Sequence, residues 1–387
     1  MIAFSARTRF DHEPNALVRE LERRRAAGGE VIDLTVSNPT RAGVPYAEQR
    51  ILAALAARRA LVYEPEPFGP RDARLAIARE HGARGFAISP DQVLLTASTS
   101  EAYAYVFKLL CDAGDEVLVP APSYPLFEHL CRFESVVPVA YPLCFEGAWH
   151  LDLDALRARI GARTRAILCV SPNNPTGSLI LRDELRALAE LGLPLVSDEV
   201  FGSYLLEPRR AAARSALEAE GALVFVLSGL SKLAALPQMK LAWTTLHGPE
   251  PELREATARL ELVSDAFLSP NAPVLAALPE LLAARAPTEA FILERLRRNL
   301  AALRRAVGGG AVSVLPVEGG WYAVLRLPRT RSEEAWVLGL LRDHGVLVQP
   351  GYFFDFAEEA FVVVSLLTPE AELDRGVERL AEYAGRG

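Results

Sequence analysis

Seven short apolar runs alternate with segments of helical period between about residues 90 and 245, and this alternation constrains the fold more than any other feature. The runs are rich in Val, Ile and Leu and span residues 93–96, 116–120, 135–140, 166–171, 194–197, 222–227 and 241–245. Strand–helix–strand units build parallel sheets, and runs without strict polar alternation suit strands that helices cover on both faces. We therefore predict an α/β fold with a seven-stranded, mostly parallel sheet flanked by helices.

A different pattern follows a long, charged helix predicted at residues 288–307, which ends at three consecutive glycines. Strand-like runs at 312–317, 321–327, 346–349 and 361–366 are interspersed with helical segments at 332–344 and 369–384. A helix and a strand are also predicted within the first forty residues. We expect a large α/β domain over residues 45–285 that binds the ligand, and a smaller α+β domain over residues 1–44 and 286–387.

Charge and composition argue against several classes of partner. Of the 387 residues, 42 are Lys or Arg and 49 are Asp or Glu, and neither sign forms the long run expected of a protein that binds nucleic acid or a membrane surface. The longest stretch without charges, residues 166–181, is too short and too rich in proline to span a bilayer. The six histidines show no metal-ligand spacing, and the start of the sequence lacks a signal-peptide pattern. We expect a cytoplasmic protein without a metal site.

Polar side chains follow five of the apolar runs directly, and ligands of parallel sheets bind at the carboxyl ends of strands. In chain order these residues are Ser98 and Thr99, Tyr124, Asn174, Asp198 and Lys232. Small hydroxyl residues that open a helix offer N–H groups to a phosphate, and the others supply an aromatic face, an amide, a carboxylate and an amine. Together these groups predict a pocket for pyridoxal 5′-phosphate (PLP).

This ordered set resembles the class I and II aminotransferases, the fold type I PLP enzymes related to aspartate aminotransferase, over nearly the whole chain. The Asn-Pro-Thr-Gly sequence at residues 174–177 is among the most specific matches. The resemblance implies that Lys232 forms a Schiff base with PLP and moves the substrate proton. It also implies that Asp198 pairs with the ring nitrogen and that Asn174 binds the ring hydroxyl oxygen.

The resemblance assigns further cofactor contacts. Ser98 and Thr99 match the phosphate-binding turn, and Tyr124 matches the ring that stacks on the cofactor. Either Ser228 or Ser231 contacts the phosphate, and the sequence does not decide between them. Lys240 stands where many members have a phosphate-binding Arg, and Tyr63 matches a residue that reaches the phosphate of a neighbouring subunit. A homodimer is therefore implied.

Two positions depart from the family pattern. Phe201 replaces a Tyr that donates to the ring hydroxyl oxygen, so we expect that oxygen to be more basic here. Val363 replaces the Arg that clamps the substrate α-carboxylate. Either another arginine, with Arg41 beside Asn38 as the candidate, binds the carboxylate, or the substrate differs.

The resemblance implies an aminotransferase that moves an amino group between a small-molecule amino acid and a 2-oxo acid through the Lys232 Schiff base. The same lysine could support β-elimination, as in a C–S lyase, or decarboxylation, and the Val363 departure keeps these alternatives open. A cofactor-binding regulator without turnover is disfavoured, because the catalytic Lys232 and Asp198 are intact and no DNA-binding extension is visible.

Overall fold

A computed structural model describes residues 2–10, 13–268 and 270–385. The described residues form fourteen strands: β1 (Ile32–Asp33), β2 (Val93–Thr96), β3 (Glu116–Ala121), β4 (Val137–Phe145), β5 (Trp149–Leu151), β6 (Thr164–Val170), β7 (Leu195–Asp198), β8 (Val224–Gly229), β9 (Ala242–His247), β10 (Ser313–Val314), β11 (Tyr322–Arg326), β12 (Val346–Leu347), β13 (Gln349–Pro350) and β14 (Phe361–Ser365). They also form thirteen α-helices: α1 (Ala16–Ala26), α2 (Glu48–Leu55), α3 (Arg71–Ala83), α4 (Thr99–Leu110), α5 (Phe127–Phe133), α6 (Leu153–Arg157), α7 (Arg182–Ala189), α8 (Leu230–Leu233), α9 (Glu250–Phe267), α10 (Ala272–Ala284), α11 (Ala286–Val307), α12 (Glu333–His344) and α13 (Glu370–Gly385).

All seven predicted runs form strands of one large sheet, whose order is β2-β9-β8-β7-β6-β3-β4-β5. Strands β8, β7, β6, β3 and β4 are parallel to their neighbours in that order, whereas β9 runs antiparallel to both β2 and β8. The short strand β5 extends the sheet beyond the seven runs and pairs antiparallel with β4. The prediction of a mostly parallel sheet is confirmed.

Helices cover both faces of this sheet. On one face, α4, α5 and α9 pack against apolar side chains of the central strands, including Val117 and Val196. On the other face, α6 and α7 pack against Leu118 and Leu195, while α2, α3 and α10 pack over β2 and β9. Because both faces are covered, the strands read as nearly continuous apolar runs rather than as alternating ones.

A smaller antiparallel sheet has the order β10-β11-β14-β13, and β1 pairs parallel with β12 beside it. Helices α1, α11, α12 and α13 share one apolar core with these strands, and Leu34, Trp321 and Val364 are fully buried within it. The smaller α+β unit is confirmed as an arrangement of secondary structure. Its predicted boundaries, at residues 44/45 and 285/286, stay a prediction.

The topology brings the predicted site residues to one edge of the large sheet. Strands β3, β6, β7 and β8 are parallel, and β2 has the same direction as β8 because each is antiparallel to β9. The five segments that follow these strands therefore meet at the same edge. No helix in the described ranges has the length and apolar character required to cross a bilayer.

Candidate active site

Lys232 lies in α8, the four-residue helix that follows β8. Its Nζ lies 4.8 Å from the ring centroid of Trp321 and 5.6 Å from that of Phe201. Burial among these rings lowers the pKa of Lys232 to about 8, although the charge of Asp198 opposes the shift. Tyr204 Oη donates to the Lys232 carbonyl oxygen at 2.8 Å and so fixes the backbone of the short helix.

Asp198 is the last residue of β7 and is buried. Its Oδ2 accepts a hydrogen bond from Tyr103 Oη at 2.9 Å, and its Oδ1 accepts one from the Val200 backbone N–H at 3.1 Å. Burial raises the pKa of Asp198, while these hydrogen bonds and the Lys232 charge act in the opposite direction. A buried carboxylate therefore stands within electrostatic reach of a buried amine.

Two side chains cap the N-terminus of α4. Ser98 is the N-cap residue, and its Oγ accepts the Glu101 N–H at 3.1 Å. Glu101 Oε2 in turn accepts the Ala97 N–H at 2.6 Å. Thr99 opens a helix of twelve residues, whose first turn presents backbone N–H groups and the positive end of the helix dipole. This arrangement suits a phosphate.

Two adjacent asparagines after β6 have different surroundings. Asn173 is satisfied within the chain: its Nδ2 donates to Pro122 O (3.0 Å) and to Thr176 Oγ1 (2.8 Å), and its Oδ1 accepts from Ser123 Oγ (2.7 Å). Asn174 Oδ1 is also buried but has no hydrogen-bond partner among the described residues. Because buried polar atoms are normally paired, Asn174 is the asparagine available to a ligand.

The aromatic residues Tyr124 and Phe201 also lie at this edge. Tyr124 is half-buried, and burial, together with the negative charge of Asp198, raises the pKa of its phenol. Phe201 is buried and packs edge-on against Trp321, with ring centroids 5.4 Å apart.

Four other residues predicted to bind the cofactor have surroundings that differ from one another. Ser231 neighbours Lys232 in α8, whereas Ser228 lines a separate cavity of about 320 Å³ together with His81 and Glu199. Lys240 is exposed and has a left-handed backbone, with φ at 51°. Tyr63 is 70% exposed on this single chain.

The predicted carboxylate-binding pair lies on the surface. The Asn38 side chain accepts hydrogen bonds from the Thr40 backbone N–H (3.1 Å) and from Thr40 Oγ1 (2.7 Å), so it stabilises a turn. Arg41 is exposed at the end of that turn. Val363 is fully buried in β14, in an apolar cluster with Val324 and Phe354.

Sequence reasoning missed Tyr103 and Trp321. Tyr103 lies in the apolar stretch of α4, where its spacing is that of a core residue, and only the fold shows its contact with Asp198. Trp321 immediately precedes β11, and its contact with Lys232 joins segments 89 positions apart in the sequence. The aromatic character of Trp321 directly before a strand was visible, but nothing in the sequence linked it to the lysine.

The residues at this edge fit PLP. A desolvated amine is available for the aldehyde, a buried carboxylate for the ring nitrogen, the unpaired Oδ1 of Asn174 for a ring hydroxyl that donates to it, and a helix N-terminus for the phosphate. These four groups come from four different segments, so their convergence is a property of the fold.

The chain is similar to known aminotransferases over nearly its whole length. The family model for aminotransferase class I and II matches residues 29–380. Glutamate-pyruvate aminotransferase AlaA of Escherichia coli (strain K12) is 27% identical over 366 residues, which cover 90% of this chain and 89% of that protein. Aspartate/prephenate aminotransferase of Thermus thermophilus is 28% identical over 390 aligned positions, which cover 96% of this chain and 95% of that protein. A solved alanine aminotransferase from Pyrococcus furiosus matches with a TM-score of 0.87 and 26% identity over 96% of each chain.

Proposed function

This chain belongs to the class I and II aminotransferases, and on that premise we propose that it moves an amino group between an amino acid and a 2-oxo acid through Lys232. It is a PLP-dependent aminotransferase, as its family and relatives are. The names of its relatives include glutamate, pyruvate, alanine, aspartate and prephenate. We expect the substrates of this chain to be among these acids.

The observation that carries the proposal is the buried amine of Lys232 beside the buried Asp198. With a pKa of about 8, roughly one Lys232 side chain in ten is uncharged at pH 7, against fewer than about one in a thousand for an unperturbed lysine. Only the uncharged amine can attack an aldehyde or accept a proton. The site therefore activates this lysine by desolvation.

PLP, when bound, supplies a ring that withdraws electrons from the substrate Cα. Lys232 Nζ would join the cofactor aldehyde with loss of water and, once the substrate amine has displaced it, would take the Cα proton. Asp198 would hold a proton on the ring nitrogen through its negative charge, and Tyr103 would keep the carboxylate oriented. Ser98 and Thr99 would bind the phosphate at the start of α4.

The other contacts are proposals of the same kind. Ser231, beside Lys232, is the better placed of the two serines for the phosphate, because Ser228 faces a separate cavity. Lys240 would add a positive charge, and Tyr124 would stack on the ring. The exposed apolar segment of Leu61, Val62 and Tyr63 would be covered by a second copy of the chain in a homodimer. The cytoplasmic location stays a prediction.

The function is tested with a panel of amino acids added to the holoenzyme, starting with glutamate, alanine and aspartate. We expect release of the matching 2-oxo acid and, after a second 2-oxo acid is added, formation of a new amino acid. Ammonia with pyruvate as the only products would indicate β-elimination, and carbon dioxide would indicate decarboxylation. Either result would contradict transamination. The Lys232→Arg variant, which keeps the charge, should yield none of these products.

A further inference from the structure

The turn that carries Lys232 is short and ends in an unfavourable backbone conformation. Helix α8 has only four residues, Leu230–Leu233, so it gains few of the hydrogen bonds that stabilise a longer helix. Directly after this turn, Ala235 has a φ of 55°, in the left-handed region that disfavours a residue with a Cβ. Such a turn keeps its shape only if other parts of the chain hold it.

Two tyrosine hydroxyl groups hold this turn from different segments. Tyr204 Oη donates to the Lys232 carbonyl oxygen at 2.8 Å, and Tyr46 Oη donates to the Ala235 carbonyl oxygen at 2.7 Å. Burial raises the pKa of both phenols, so each stays protonated and keeps donating at neutral pH. The two hydrogen bonds therefore fix the turn at the lysine itself and at its left-handed end.

The two tyrosines are themselves held in place. Tyr204 is 0% exposed, and its carbonyl oxygen accepts the Gly320 N–H at 2.9 Å. The carbonyl oxygen of Pro45, which precedes Tyr46, accepts a hydrogen bond from Thr288 Oγ1 of α11 at 2.7 Å. Each hydroxyl group therefore comes from a segment that is fixed by a further hydrogen bond.

Tyr204 also supports the surroundings of the amine. Its ring packs edge-on against Trp321 with the centroids 5.2 Å apart, and the Trp321 centroid lies 4.8 Å from Lys232 Nζ. The same tyrosine thus contacts the lysine backbone directly and, through one ring, its amine. This support matters because a lysine side chain is long and flexible, and a misplacement of about 1 Å can lower a rate about 10²-fold.

We propose that Tyr204 and Tyr46 are positioning residues that hold the Lys232 amine where it meets the aldehyde of PLP. The inference rests on the proposed function, since it takes Lys232 to be the residue that bonds to PLP. In that step the Lys232 nitrogen bonds to the aldehyde carbon, and the two hydrogens of the neutral amine leave with the aldehyde oxygen as water. Both tyrosines act through the backbone of α8 and not on the reacting atoms.

Two measurements on the full chain, freed of PLP, separate positioning from general loosening. The first is the rate constant of bond formation between Lys232 and saturating PLP, followed by stopped-flow absorbance. The second is the affinity for pyridoxamine 5′-phosphate, which has no aldehyde and so does not need the lysine. We expect Tyr204→Phe to lower the rate constant about five- to tenfold, the size of one neutral hydrogen bond, and to change the affinity less than about twofold. Tyr46→Phe should act in the same direction.

Tyr141→Phe is the matched control. Tyr141 is 1% exposed, and its Oη donates to the Leu168 carbonyl oxygen at 2.8 Å, which is the same kind of bond made between β4 and β6. This variant should keep the wild-type rate constant and affinity. A Tyr204→Phe variant that reacts at the wild-type rate would overturn the proposal, as would an equal slowing in Tyr141→Phe. So would a loss of pyridoxamine 5′-phosphate affinity in Tyr204→Phe as large as its loss of rate, because the whole pocket would then have changed.

Failure of the proposed function gives a different result. A wild type that binds neither PLP nor pyridoxamine 5′-phosphate, or that attaches PLP to a lysine other than Lys232, refutes the proposed function and this inference with it. A wild type that binds both, with all variants reacting equally fast, refutes only the positioning role. If Tyr204→Phe does not fold, Tyr46→Phe decides by the same outcomes, since Tyr46 is only half-buried and its replacement disturbs the core less.

Discussion

Asp198 and Glu199 are consecutive buried carboxylates at the end of β7, yet they face opposite sides of the sheet. Asp198 lies on the side of Tyr103 and Lys232. Glu199 Oε1 accepts three hydrogen bonds from the chain itself, from Ser197 Oγ (3.2 Å), Ser215 Oγ (2.9 Å) and the Ala216 N–H (2.7 Å). Burial raises the pKa of both groups.

The comparison teaches that a perturbed pKa alone does not mark the functional carboxylate. What separates the two is the kind of partner. Glu199 ties the end of β7 to the turn at Ser215, so its hydrogen bonds stabilise the fold. Asp198 has a tyrosine, one backbone N–H and a buried amine around it, so its charge is available to a ligand.

The largest expected effect comes from replacing each carboxylate by its amide, because one variant should lose activity and the other should lose stability. Asp198→Asn should lower kcat/KM about 10²- to 10³-fold, the size seen when a preorganised electrostatic group is removed, with little change in the free energy of unfolding. Glu199→Gln should lower the free energy of unfolding by about 1–3 kcal/mol, because a buried hydrogen-bond network is disrupted. Steady-state kinetics and urea unfolding measure both. If Glu199→Gln lost more kcat/KM than Asp198→Asn, the assignment of the catalytic role to Asp198 would be contradicted.

The adjacent asparagines repeat the comparison at smaller scale. Asn174→Ala should weaken PLP binding about tenfold, which is the size of one hydrogen bond to the cofactor. Its free energy of unfolding should change by less than about 0.5 kcal/mol. Asn173→Ala should lower the free energy of unfolding by about 1–3 kcal/mol, because three buried groups lose their partner. PLP titration and chemical unfolding give the two values. Equal effects of both variants on PLP affinity would contradict the distinction.

Tyr103→Phe sharpens the account of Asp198. The Tyr103 hydrogen bond lowers the pKa of this carboxyl against the effect of burial, so its loss should raise the pKa further. The carboxyl would then stay protonated to a higher pH. Infrared titration of the protein without PLP, with Asp198→Asn to assign the band, follows the change. Tyr105→Phe removes another buried phenol from the same helix and should leave the titration unchanged.

Phe201→Tyr should give the smallest effect. The added hydroxyl would donate to the ring oxygen of bound PLP and make that oxygen less basic, so the pH at which the cofactor absorbance titrates should fall by about one unit or less. A spectral titration of wild type and variant checks this. No difference would mean that position 201 does not face the ring oxygen.

Much of the fold was predictable because the sheet is covered on both faces. Burial on both faces produces continuous apolar runs, and all seven predicted runs became strands within a few residues. The strand order and the reversed direction of β9 were not predictable, since no local pattern specifies which strands pair. The location of the candidate site residues at strand ends was predictable for the same reason as the strands, and their contacts with PLP stay a prediction.

Contacts between distant segments were not predictable. Tyr103 looks like any core residue of an amphipathic helix, and its bond to Asp198 spans 95 positions. The environment of Val363 could be predicted as buried, but not that the ring of Trp321 lies beside Lys232. The two serines illustrate the same limit, because only the strand's orientation puts Ser228 in a different cavity.

The central claim is that Lys232 carries PLP, and the chain offers three lysines in which to test it. Lys108 forms an ion pair with Glu134 on the helix surface, and Lys240 is exposed, whereas Lys232 is half-buried and its amine is desolvated near Asp198. Borohydride reduction of the holoenzyme fixes PLP to the lysine that bears it, and peptide mass mapping then identifies the position. The account predicts the added mass on the Lys232 peptide alone. The same mass on the Lys108 or Lys240 peptide, with Lys232 unmodified, would contradict it.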